Sequence, residues 1–125
     1  MRNVGKRTVV LGASNNPSRF SYLAAYKLRK FQHEIYPVGL KKGSVAGKDI
    51  LDIRQKPIIG EVHTITLYMN PKNQVPYYDY ILHLNPERII FNPGTENQEL
   101  AQLARDRQIE TVNDCTLLML SRGVY

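Results

Sequence analysis

Residues 8–31, TVVLGASNNPSRFSYLAAYKLRKF, read as a strand, a loop and a helix, and the rest of the chain repeats that alternation. Thr8 to Leu11 is a short β-branched run, and Gly12-Ala13-Ser14 is a turn without bulky side chains. Asn16-Pro17 has the form of an N-cap followed by the proline that suits a first helical position. Such a loop aims unbonded backbone N–H groups ahead of the helix, where the helix dipole favours an anion. The helix is expected from about Pro17 to Gln32. Phe20, Ala24, Leu28 and Phe31 then form one apolar stripe, with Arg19, Lys27 and Lys30 toward water.

Beyond this helix, His33 to Val38 (HEIYPV) reads as a second strand ending near Pro37, completing a βαβ unit of about thirty residues. Gly39 to Gly60 is rich in glycine and lysine and reads as a basic loop with short irregular pieces. Glu61 to Met69 is a third strand, closed by Asn70-Pro71. A helix is expected to begin near Pro76 and run to about Leu84. Arg88 to Phe91 is a fourth strand, followed by the turn Asn92-Pro93-Gly94. Thr95 to Gln98 fits a capping box that opens a helix with Leu100, Leu103 and Ala104 buried. Glu110 to Asn113 is a brief fifth strand, and Thr116 to Leu120 is apolar enough to pack. The expected fold is α/β: one Rossmann-like, doubly wound parallel sheet of about five strands with helices on both faces. Ligands of such sheets bind beyond the carboxyl ends of the strands, which gathers the four loops at Gly12, Val38, Tyr68 and Asn92 on one edge.

A length of 125 residues suits a single domain, 1–125, with a real core. No apolar run approaches the roughly 20 residues of a membrane span. The basic start, Met1 to Arg7, leads into the first strand without the apolar region of a signal peptide. With Cys115 as the only cysteine, no intramolecular disulfide forms, and a buried, inert thiol in a cytoplasmic protein is expected. The net charge of +6 suits an anionic partner.

The loops say which anion. Gly12 is followed by Ser14 and Pro17 where a full dinucleotide fingerprint would carry glycines. About twenty residues on, where an NAD enzyme places an acid for the ribose, stand Leu40, Lys41 and Lys42. Two lysines there would welcome a phosphate on the sugar, as in NADP or coenzyme A.

These residues carry a resemblance. V-L-G-A-S, then N-P-S-R-x-S-Y, then Y-P-V resembles the opening of the small CoA-binding proteins, which share their fold with the CoA-binding domain of the succinate-CoA ligase alpha subunit. The likeness continues through Asn70, Val75-Pro76, Asn92-Pro93-Gly94, Glu96-Asn97 and Val112 to Cys115. It implies that Gly12, Ala13, Ser14, Asn15, Asn16, Pro17, Ser18 and Arg19 surround a pyrophosphate. It implies Val38 with Lys41 or Lys42 near the adenosine and its 3′-phosphate, Tyr68 and Met69 along the adenine or pantetheine path, and Asn92, Pro93 and Gly94 closing the far side. Nothing in the chain resembles the second ligase domain, so synthetase activity does not transfer.

The expected function is binding of coenzyme A or an acyl-CoA, without chemistry of its own, because the four loop ends offer no carboxylate or histidine to move protons. The rival readings are an NADP-dependent reductase and a basic module for nucleic acid or protein. A protein partner or a homo-oligomer stays open. His33, His63 and His83 share no metal-ligand spacing, and Tyr77, Tyr78 and Tyr80 are expected to divide between core and surface.

Overall fold

The computed structural model describes residues 5–125; the basic stretch Met1 to Val4 lies outside the described residues. The strands are β1 (Thr8–Leu11), β2 (Ile35–Gly39), β3 (Ser44–Val45), β4 (Lys48–Asp49), β5 (Leu51–Asp52), β6 (Thr64–Leu67), β7 (Arg88–Phe91) and β8 (Glu110–Asn113). The helices are α1 (Phe20–Lys30), α2 (Pro71–Gln74), α3 (Tyr78–His83), α4 (Gln98–Asp106) and α5 (Thr116–Arg122), with 3-10 turns at Ile53–Gln55 and Val75–Tyr77.

Six strands form one sheet in the order β5-β2-β1-β6-β7-β8, every neighbouring pair parallel. The order runs outward from β1 in both directions, so the switch point lies between β1 and β6. Alternate residues of the buried strands serve opposite faces. Val9, Leu11, Ile65, Leu67, Ile89 and Phe91 pack with residues of α3 and α4, while Val10 and Ile90 pack with residues of α1 and α5.

Several boundaries differ from the sequence reading. The sixth strand, β5, comes from the basic loop: two residues opposite Val38 and Gly39 carry no readable alternation. Strand β2 passes through Pro37 rather than stopping there. Tyr36 and Val38 face β1, so Pro37 turns its nitrogen to the outer side, where β5 begins only opposite Val38 and no ladder bond is lost. The third strand is shorter than expected, Thr64–Leu67. The next helix starts at Pro71, capped by the Asn70 side chain, and Pro76 interrupts it as a 3-10 turn. Helix α4 is capped by Asn97 rather than Thr95, and Leu103 is 38% exposed.

Helix α1 is rotated and shortened relative to the expected stripe. Ser21, Ala24, Ala25 and Leu28 face the sheet, while Phe20 is 70% and Phe31 46% exposed. Small residues take the inward positions, where Ala25 and Leu28 pack with Val10 and Ile35. Asn16 and Pro17 do not begin the helix: the Asn16 side chain accepts from the Ser18 amide and hydroxyl, an Asx-turn, and Arg19 is the cap residue without a side-chain cap bond.

The amino edge of the sheet gathers a cationic cluster. Arg88 is 6% exposed, donates to Thr64 Oγ1 at 3.0 Å and to the main-chain oxygen of Tyr125 at 3.2 Å, and stacks on the Tyr125 ring. Lys6 reaches the same oxygen at 2.6 Å, and the Lys6 amide donates to His33 Nδ1 at 2.9 Å. Burial, then the charges of Lys6, Arg88 and His63, holds His33 below the usual imidazole pKa; burial is also the leading cause of the same shift in His63. A histidine whose folded pKa is depressed contributes stability that is complete above about pH 6.5 and falls away as pH drops toward the folded value. The melting temperature should therefore fall between pH 7 and pH 5.5. His33→Asn, whose amide oxygen can still accept from Lys6, should reduce that fall, and an unchanged pH profile for this variant would sink the assignment.

Candidate functional site

The carboxyl ends of β1, β2 and β6 are drawn together by two glycines. Gly12 has φ +96°, and a Cβ there would lie 2.9 Å from the Tyr68 carbonyl carbon, so β1 can turn beside β6 only without a side chain. Gly39, at the end of β2, has an ordinary φ, but its Cβ would stand 2.4 Å from the Ala13 oxygen. Between them the Val38 carbonyl accepts both the Gly12 amide at 2.8 Å and the Ala13 amide at 3.0 Å.

This corrects the expected anion loop. The Gly12 and Ala13 amides are consumed by Val38, whose own side chain is fully buried. The unbonded donors lie further on. Asn16 N–H is taken by Ser14 Oγ at 3.0 Å, Ser18 N–H by Asn16 Oδ1 at 3.0 Å and Arg19 N–H by the Asn16 carbonyl at 3.0 Å. Among the described residues the Ser14, Asn15, Phe20 and Ser21 amides have no acceptor, and they flank the start of α1.

Lys41 and Lys42 are exposed in the loop after β2. Directly after Lys42, Gly43 lies so close to Asn15 that a Cβ there would be 2.6 Å from Asn15 Nδ2. The lysine loop and the first loop therefore touch. Arg54 and Asp52 stand beside them, with Arg54 Nη2 donating to the Leu40 carbonyl at 3.3 Å.

The other expected residues divide. Met69 is buried, with Cγ 3.0 Å from where a Gly12 Cβ would stand. The Tyr68 ring packs toward α1 and α5; its hydroxyl is buried beside Thr66 and Thr116 without a hydrogen-bond partner of good geometry, and burial raises its pKa. Asn92 is a structural clip rather than an open wall. Its Nδ2 donates to Thr66 Oγ1 at 2.7 Å and the Leu67 carbonyl at 2.9 Å, and its Oδ1 accepts the Thr116 amide at 2.8 Å. Pro93 and Gly94 are exposed, and the Gly94 amide donates to Glu96 Oε1 at 2.8 Å.

Carboxylates do reach this edge, contrary to the sequence reading: Asp52, Glu96 and Asp114. Each is engaged, Asp52 with Arg54, Glu96 with the Gly94 amide and Asp114 with Arg122 at 2.7 Å. Cys115 is half-buried rather than buried. A cleft of about 630 Å³ between α4 and β8, lined in part by Gln98, Gln102, Arg105 and Thr111, contains none of the β1 or β2 loop residues. Sequence reasoning missed Gly39, Gly43 and Arg54. The spacing Asp52-Ile53-Arg54, an Asp two residues before the amide it caps, was the one readable signal for the last.

Free amides ahead of a helix, cations on the adjoining loop and a switch point beneath them define a Rossmann-like α/β fold with a basic, donor-rich edge. The sequence pattern of the family described as CoA binding domain matches residues 6–121, and the chain belongs to that family. The crystal structure of an uncharacterized protein, 50% identical, superposes with a TM-score of 0.94 over 98% of this chain and 100% of that one. A protein from Thermus thermophilus (18% identity, TM-score 0.81, 97% of this chain and 91% of that one) shares the fold. So does a hypothetical protein from Pyrococcus horikoshii (22% identity, TM-score 0.80, 95% and 83%). Among curated proteins none matches. No helix of the described residues is long and apolar enough to cross a membrane.

Proposed function

We propose that this chain, acting as one domain in the cytoplasm, binds coenzyme A or an acyl-CoA and performs no chemistry on it. The pyrophosphate lies against the Ser14 and Asn15 amides and the start of α1, with Arg19 beside it, and the ribose 3′-phosphate lies against Lys41 and Lys42. The observation that carries this reading is the contact of Gly43 with Asn15, because it joins unbonded amides and two lysines in one edge. Membership of the family supports coenzyme A over other nucleotides. A binding role is supported by where the proton-transfer groups lie. His33 and His63 are at the opposite edge of the sheet, His83 hydrogen-bonds within α3 to the Asp79 carbonyl, and Asp52 is held by Arg54.

Thermal melting in the presence of CoA, dephospho-CoA, NADP and NAD tests it. A ligand at a hundred times its Kd adds about 2.7 kcal/mol to the folded state, a shift of several degrees. CoA should raise the melting temperature most and NAD least, and Lys41→Ala with Lys42→Ala should narrow the difference between CoA and dephospho-CoA. No response to millimolar CoA would overturn the reading; a response to NADP alone would favour a reductase.

A further inference from the structure

Two exposed lysines supply charge beside a phosphate but little direction, since an ammonium on four methylenes has no fixed fork. A third cation at the same place is held. The Asp52 carboxylate at the end of β5 accepts the Arg54 amide at 2.9 Å and so caps the turn Ile53–Gln55. The same carboxylate receives Arg54 Nε at 3.0 Å and Nη2 at 3.2 Å, while Nη2 also donates to the Leu40 carbonyl at 3.3 Å. Leu40 directly precedes the two lysines. Asp52 is held below its usual carboxylate range by the Arg54 side chain first and the Arg54 amide next, with the Lys42 charge contributing. One carboxylate thus answers two cations, Arg54 by direct contact and Lys42 by its charge.

The guanidinium is oriented as well as placed. Its Nε and Nη2 edge is turned to Asp52, and among the described residues Nη1 has no acceptor. The Arg54 side chain is 63% exposed, so the ion pair itself adds little to stability and its N–H groups can meet a ligand. A donor already held in one direction loses less freedom on binding than a lysine does.

We infer that Arg54, oriented by Asp52, joins Lys41 and Lys42 in telling a ribose phosphomonoester from a bare ribose hydroxyl; this rests on the CoA reading above. Asp52 acts as a positioning residue.

Calorimetric titration of the wild type, Arg54→Ala, Arg54→Lys and Asp52→Asn with CoA and with dephospho-CoA tests the inference. Arg54→Ala should weaken CoA about tenfold, the loss of one charge-assisted contact, and change dephospho-CoA by less than about twofold. Arg54→Lys should recover part of the preference. Asp52→Asn, which keeps an oxygen for the cap but loses the charge, should lower the ratio of the two affinities without abolishing binding. The ligand-free melting temperature of Arg54→Ala should stay within about 2 °C of the wild type, as for an exposed pair. Undiminished preference for CoA in Arg54→Ala, or equal losses for both ligands, overturns the role of Arg54 and leaves the CoA site standing. Failure of the wild type to bind either ligand overturns both.

Discussion

Asn92→Ala should be among the most destabilising single substitutions in this protein. The side chain is 1% exposed and makes three hydrogen bonds that join β6, β7 and the start of α5. Truncation leaves the Leu67 carbonyl and the Thr116 amide buried without partners, each costing about 1–3 kcal/mol, so a total of roughly 3–5 kcal/mol is expected. For a chain of this size that lowers the melting temperature by roughly 10–15 °C. Asn92→Asp keeps an acceptor for Thr116 but sets a carboxylate oxygen against the Leu67 carbonyl, so it should be as damaging and should recover partly at acidic pH. Chemical denaturation of the three proteins measures this. A loss below about 1 kcal/mol for the alanine variant would show that the clip is dispensable.

Gly39→Ala should lower stability by about 2–3 kcal/mol and remove the response to CoA at the same time. The added methyl would meet the Ala13 oxygen at 2.4 Å; that oxygen is backbone and a Cβ is fixed by its own backbone, so no side-chain rotation relieves it. Relief requires β1 and β2 to part where Val38 accepts the Gly12 and Ala13 amides, which moves the loop that carries Ser14 and Asn15. Gly60→Ala is the control: nothing lies within 4 Å of a Cβ there, and a change of no more than about 1 kcal/mol, in the stabilising direction, is expected. Equal melting curves for the two glycine variants would refute the close-approach argument.

These two residues also mark how far the sequence could be read. The strands at Thr8–Leu11, Arg88–Phe91 and Glu110–Asn113 lie where the pattern puts them, because β-branched runs closed by Gly, Asn or Pro leave few alternatives. The alternation of strand and helix was enough for the parallel sheet and for the gathering of its loops on one edge. Strand β5 was hidden because two residues define no period, and the inward face of α1 because Ser21, small and polar, gives no apolar signal for a buried position while the apolar Phe20 is exposed. Asn92 was legible as a turn residue but not as a clip, since its three partners lie 24 to 26 positions away along the chain.

The opening stretch illustrates the division. From composition and spacing alone, residues 8–31 determine a strand, a side-chain-poor turn and a helix, and with Lys41 and Lys42 they determine that the loop edge is basic. Which amides remain unbonded was decided by tertiary structure. A backbone N–H is free only if no carbonyl lies within reach, and the carbonyl that takes Gly12 and Ala13 belongs to Val38, brought there by the pairing of β1 with β2. The same pairing lays Gly43 against Asn15, while the short contact of β5 with β2 sets Arg54 under Leu40. Local pattern selects elements; distances between them follow only once the sheet has formed.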